Sequence, residues 1–269
     1  MAKEINFIKM AGAGNDFIVA DNRDVKIAAR SLAAKKWCDR KNSIGGDGLL
    51  LLEKSKKAAF RMRIINPDGS EAEMCGNGIR CIAKVAHDAG ITGKKFSIET
   101  IAGIIDAEIK GSIVKARMID PKDLKLNFNI LLADKALALN FVNTGVPHTV
   151  CFVKSLKEID VEHTGQAIRT HEYFKPRGTN ANFVQAQGGN AIEIRTYERG
   201  VEGETLSCGT GSTAGALVAA ATLQMKSPVS VKTKSGETLK VYFSKEDSRF
   251  YDVYLEGPVK KCFQGRVML

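Results

Sequence analysis

Apolar and polar residues alternate along much of this chain, and the period of the alternation changes from segment to segment. Residues 7–21 (FIKMAGAGNDFIVAD), 60–66 (FRMRIIN), 96–109 (FSIETIAGIIDAEI) and 112–120 (SIVKARMID) show the short period and the β-branched and aromatic enrichment of strands. Residues 24–40 (DVKIAARSLAAKKWCDR) instead space Val25, Ala28, Leu32 and Ala33 along one helical face, with Asp24 placed to cap the N-terminus. Two further stretches, 79–90 (IRCIAKVAHDAG) and 212–224 (STAGALVAAATLQ), are apolar nearly all round and predict helices buried within their surroundings.

Each of these last two helices follows a cysteine and a glycine-bracketed turn: EMCGNGIRC at 73–81 and LSCGTGSTA at 206–214. Cys75 and Cys208 are 133 residues apart, and the same offset pairs Asn15 with His148 and Gly103 with Gly236. With one extra residue in the second copy, Asn66 pairs with Glu198. Four matches in one order imply an internal duplication. The expected organisation is an N-terminal half-repeat, 1–121, joined by the tail 260–269, and a C-terminal half-repeat, 122–259. The linker falls near MIDPKDLKLNFN, where Pro121 interrupts the pattern. Two similar domains built around buried helices would enclose a cleft, with Cys75 facing Cys208.

The 269 residues are 44% hydrophobic and 26% charged, ordinary values for a globular protein, and no window reaches the length of a membrane span. The opening MAKEINFIKM has no apolar signal region, so a cytoplasmic place is expected. The net charge of +10 is scattered without interleaved aromatics; this argues against nucleic acid and suits a small acidic ligand. Six cysteines without a C-x₂-C pair suggest reduced thiols and neither a disulfide scaffold nor a zinc site. Among them Cys38, Cys81, Cys151 and Cys262 read as small buried packing residues. His87, His163 and His171 read as surface or packing groups.

A cysteine at a helix start lies beside unsatisfied N–H groups and the positive end of the helix dipole, which favours the thiolate. The glycines let an anion reach those N–H groups. An amino-acid carboxylate held between two such ends would be stabilised as its α-proton leaves. A thiolate on one face and a thiol on the other would invert the carbon. Such a site needs neither pyridoxal phosphate nor metal in principle, and no motif for either is present.

The motifs GAGNDF (12–17), NPDGSEAEMCGNGIRC (66–81), GVPH (145–148), NANFV (180–184) and YERGVEGETLSCGTGS (197–212) resemble those of the diaminopimelate epimerase family, in the family's order from about residue 5 onward. The resemblance implies an α/β (α+β) fold of two pseudo-symmetric domains, each a curved sheet or barrel around a central helix, with the site in the cleft. It implies cofactor-independent interconversion of LL- and meso-diaminopimelate, toward lysine, by a homodimeric enzyme. By position it gives Cys75 and Cys208 the acid/base role, with His148 and Glu198 supporting their ionisation. Asn15, Asn66, Gly76, Asn77, Asn180, Glu198, Arg199, Gly209 and Thr210 fall on substrate-binding positions, where the arginine can fork onto a carboxylate and the glutamate can accept from an ammonium. The asparagines also fit plain turn residues. The chain departs from the family at Val146, where many members carry asparagine, and at Gly48 in the loop IGGDGLL, where some carry glutamine. A proline racemase-like epimerase, a phenazine-biosynthesis-type isomerase and a non-catalytic amino-acid sensor are the alternatives. NPDGSE, YERG and the cysteine pair weigh against the first two.

Overall fold

The computed structural model describes residues 4–25, 27–132 and 135–269, so the first three residues of the leaderless opening stretch lie outside the described residues. In the first half, β1 (Glu4–Gly12) and β2 (Asn15–Asp21) form an antiparallel hairpin. Ala13 and Gly14 turn it with positive φ at both positions, the geometry that matches strand twist in a two-residue hairpin. The chain passes through α1 (Arg30–Trp37) to β3 (Gly48–Glu53), which lies parallel to β2. Next come β4 (Phe60–Ile65) and the short β5 (Glu71–Ala72), both antiparallel additions. After α2 (Gly76–Asp88), β6 (Lys95–Thr100) pairs parallel with β4, and β7 (Gly103–Lys110) and β8 (Ile113–Arg117) follow as a meander.

The second half repeats this grammar. It runs through β9 (Lys122–Leu132), β10 (Lys135–Asn143), β11 (Pro147–Phe152), α3 (Val161–Thr170), β12 (Asn180–Gly188), β13 (Ala191–Glu198), β14 (Gly203–Thr205), α4 (Gly209–Thr222), β15 (Val229–Lys232), β16 (Thr238–Glu246) and β17 (Arg249–Pro258). Its two parallel pairings, β11 with β12 and β13 with β15, are again the ones a helix spans. A last strand, β18 (Lys260–Met268), pairs antiparallel with β1, as β9 does with β10. By contacts, one compact unit comprises Met1–Arg117 with Gly257–Leu269 and the other Met118–Glu256.

Helices on both faces explain why the parallel strands are buried throughout. In β3, Leu50 and Leu52 enter the cluster around α2 (Ile79, Ile82, Ala83, Ala86), whereas Leu49 and Leu51 enter the one around α1 (Ala33, Ala34, Trp37). β12 follows the same rule, with Ala181 and Phe183 packed beside Val161 and Ile168 of α3. Its alternate residues Asn182 and Val184 face α4, where they approach Gly211 and Gly215.

Several expectations change in the structure. Helix α1 begins at Arg30, not behind Asp24, because the Asn22 side chain accepts from the Ile27 N–H and holds residues 22–27 in a turn. Asp24 pairs with Lys54 instead, and Leu32 is exposed. Most of the stretch read as linker is strand β9; only residues 118–121 lie outside regular structure. α4 is buried nearly all round, but α2 exposes Asp88 and pairs it with Lys84. Gly48 is the first residue of β3 and not a loop residue; a Cβ there would stand 3.3 Å from the Ile65 carbonyl oxygen. Cys38, Cys81 and Cys151 are buried, and burial pushes the thiols of Cys38 and Cys151 up to about 11; Cys262, however, is exposed. No described helix is long and apolar enough to cross a membrane.

One glycine shows how closely the second half is packed. Gly165, inside α3, would place a Cβ 2.4 Å from the Tyr197 Cβ. Gly165→Ala, which intrinsic helix propensity alone would favour, is therefore expected to destabilise the fold by about 1–3 kcal/mol. Urea denaturation measures it, and a gain in stability would show that α3 is free to move away from β13.

Candidate active site

Both helix starts are built alike. Cys75 and Cys208 have extended backbones (φ −143°, ψ 119° and φ −118°, ψ 117°) and occupy the N-cap positions of α2 and α4. Each Sγ accepts from the backbone N–H three residues on, Gly78 or Gly211, at 3.4 Å. That leaves the N–H groups of Gly76 and Asn77, and of Gly209 and Thr210, without acceptors inside their own helices. Two adjacent donors at the positive end of a helix form a seat for a carboxylate.

In the first unit, the Asn77 side chain donates to Asn15 Oδ1 (2.7 Å) while its own oxygen accepts from buried Arg80 (2.9 Å). Asn15 in turn donates to Asp47 Oδ2 (2.9 Å), which also accepts from the Asp16 N–H. Arg40 binds Asp16 and Asp47 at 2.5 and 2.7 Å, and buried Lys9 bonds Asp16 and the Gly45 carbonyl. Burial pushes the Asp16 carboxyl up, but Arg40 and Lys9 outweigh it and hold the group below the usual carboxylate range. Asn15 and Asn77 thus reach α2's first turn with both amide orientations set. Asn66 is different: its side chain donates to Ser70 Oγ within its own turn (3.0 Å).

In the second unit, Cys208 Sγ lies 3.3 Å from the Thr210 hydroxyl, and the Thr210 carbonyl accepts from Thr144. Asn180 donates to the Pro147 carbonyl and accepts from the Arg199 N–H, both at 2.8 Å, which ties the start of β12 to the turn after β13. Glu198 accepts from Thr205 (3.0 Å). Burial, then the positive charges of Arg169 and Arg177, lower the pKa of Arg199; the guanidinium stays charged in a locally cationic setting that favours an anionic partner. His148 is fully buried, in register with Asn180, and its Nδ1 lies 3.1 Å from the Asn182 amide nitrogen.

Burial, aided by the Arg199 charge, pushes His148 down to about 3. A base this weak cannot take a proton from a thiol, so any support it gives to thiolate formation runs through a hydrogen bond. The unfolded chain binds a proton near pH 6.5 that the folded chain excludes down to about 3. Stability from this group is therefore complete above pH 6.5 and falls by up to about 1.4 kcal/mol per pH unit below it. Denaturation between pH 7 and 5 should show a steeper loss for the native chain than for His148→Gln; equal slopes would mean that His148 charges within the fold.

Two residues of this arrangement, Asp47 and Asn182, were absent from the sequence reading. The available signals were an aspartate between glycines in GGDG, and polar residues at alternate places in NANFV, a strand covered on both faces. No group of three His, Cys, Asp or Glu side chains among the described residues is placed to hold a metal.

Comparison with known proteins agrees with this geometry. The family model described as diaminopimelate epimerase matches residues 7–121 and 140–262. The chain is 42% identical to the diaminopimelate epimerase of Aquifex aeolicus, covering 98% of both chains, and 45% identical to that of Hydrogenobaculum, covering 96% of both. Among solved structures, a PhzF-family phenazine biosynthesis protein from Bacillus anthracis superposes with a TM-score of 0.79 at 18% identity, over 99% of this chain and 100% of that one. A hydroxyproline epimerase from Agrobacterium vitis gives 0.71 at 15%, over 99% and 93%. These distant structures share the two-half α+β fold, whereas the sequence relatives carry one name across nearly the full length. With a cysteine capping the equivalent helix in each half, the chain belongs to the diaminopimelate epimerase family.

Proposed function

We infer that this protein interconverts LL- and meso-2,6-diaminopimelate in lysine biosynthesis, moving a proton at the α-carbon without a cofactor. The observation that carries this reading is the cysteine-capped, glycine-led helix start, present once in each half of a chain that matches the family nearly end to end. Cys75 and Cys208 serve opposite faces of one carbon: a thiolate removes the proton and the other thiol returns one, which inverts the centre. The half-repeats 1–121 with 260–269 and 122–259 bring one thiol each. The N–H pairs of Gly76 with Asn77 and Gly209 with Thr210 bind the reacting carboxylate and stabilise the charge that develops on it. Arg199 takes the distal carboxylate and Glu198 an ammonium, while Asn15, Asn66 and Asn180 fix the substrate's orientation; Asn66 must exchange its Ser70 bond for one to substrate. The cationic neighbourhood of Arg199 supports its part.

Reaction in D₂O tests the proposal. Purified protein with LL-diaminopimelate should yield the meso isomer with deuterium at the inverted α-carbon, and a panel including glutamate and proline should give no exchange. Exchange of proline in preference to diaminopimelate would overturn the substrate assignment. A cytoplasmic homodimer accompanies this reading, and a monomeric sedimentation value at working concentration would remove the dimer.

A further inference from the structure

The two halves repeat in backbone, but the layer beneath the two cysteines does not repeat in chemistry. Under Gly78 of α2 lies Leu50, whose Cδ2 would stand 3.3 Å from an added Cβ. Under the equivalent Gly211 of α4 lies Asn182, whose Oδ1 would stand at 2.5 Å. A buried amide in place of a leucine costs desolvation unless all its bonds are made. Asn182, 1% exposed, makes them: Oδ1 accepts from the Thr196 hydroxyl (3.0 Å) and Nδ2 donates to the Thr149 carbonyl (2.7 Å).

That second bond settles which way the amide points, because a carbonyl only accepts and the nitrogen must face it. The same nitrogen lies 3.1 Å from His148 Nδ1 and can only donate, so Nδ1 carries a lone pair and the proton of the neutral ring is on Nε2. His148 Nε2 is fully buried and meets no hydrogen-bond acceptor among the described residues. We propose that Asn182 is a positioning residue that locks His148 as the Nε2–H tautomer, making it a neutral hydrogen-bond donor for the Cys208 half of the site. The donor's recipient is then a group that arrives with the reaction, a thiolate or a substrate carboxylate. The first half, with Leu50 in this layer and Asn15 at the repeat position of His148, has no such device, so the two thiols work in unlike settings. Only the kinetic consequence of this inference rests on the proposed function; the tautomer does not.

Long-range ¹H–¹⁵N spectra of the full chain at neutral pH read the tautomer directly. The four histidines are few enough for His148→Gln to assign the signal. The expected wild-type spectrum has a pyridine-type Nδ1 and a pyrrole-type Nε2 for His148. Asn182→Asp, whose carboxylate can only accept, should move the proton to Nδ1, and Asn182→Leu, which copies the first half, should release the constraint and shift Nδ1 away from its wild-type position. With diaminopimelate, kcat of either variant should fall about ten- to a hundredfold while KM stays within twofold. A wild-type ring protonated on Nδ1 overturns the proposal without need of any variant. So does an Asn182 variant that keeps the wild-type tautomer, or one that changes tautomer with kcat intact. If the wild-type tautomer is as stated but diaminopimelate is not turned over, the positioning stands and the substrate assignment fails.

Discussion

Cys208→Ser and Cys75→Ser are each expected to lower diaminopimelate epimerisation by about a thousandfold or more while leaving the fold intact. The two effects separate because the cysteine does two jobs at the helix start. As an N-cap its Sγ accepts the N–H of Gly211 or Gly78, and a serine oxygen does this at least as well. As a proton-transfer group it must exchange between thiol and thiolate near neutrality, which a hydroxyl cannot do. Inversion needs both faces, so loss of either thiol stops the net reaction. Thermal unfolding should therefore match that of the native chain within about 1 kcal/mol, the scale of a single cap. A serine variant retaining a tenth of wild-type kcat would sink the two-thiol assignment, and a serine variant that unfolds would show the thiol to be structural.

Gly211→Ala is expected to destabilise the protein by about 1–3 kcal/mol and to reduce kcat by more than about tenfold. In an ordinary helix interior the same change stabilises by up to about 1 kcal/mol. Here the new Cβ would meet Asn182 Oδ1 at 2.5 Å, Cys208 Cβ at 3.2 Å and Thr196 Oγ1 at 3.3 Å, so the helix start must lift away from β12 and β13. That displacement weakens the Gly211 N–H bond to Cys208 Sγ and moves the thiol. Gly78→Ala is the internal control: its nearest contacts, Leu50 Cδ2 at 3.3 Å, Cys75 Cβ at 3.5 Å and Phe17 Cζ at 3.6 Å, are apolar and largely able to give. Urea denaturation and kcat for both variants decide the matter. Equal effects would mean that Asn182 is as yielding as Leu50.

The features legible in the bare chain were those whose cause is local. A glycine after a cysteine at a helix start carries its meaning in its immediate neighbours, and the duplication at 133 residues repeats that meaning. The alternation of Leu49 through Leu52 was readable as strand but not as two-faced, because burial of both sides depends on helices 12 residues upstream and 23 downstream. The start of α1 was misplaced for a related reason: Asp24 has a capping residue's chemistry, but Asn22 already holds the turn around it. Cys262 resembles the other spare thiols in composition and differs from them only in being left at the surface.

Composition, periodicity and motif spacing thus carried the two-half plan, the helix-start cysteines and the family, all of which depend on residues near one another in the chain. Which group holds which was a property of the fold. Asp47 orients Asn15 across 32 residues, and Asn182 reaches His148 across 34, through strands that pair only when the sheets form. A hydrogen bond's direction and a histidine's tautomer are set by distance and burial between such strands, and linear spacing contains neither.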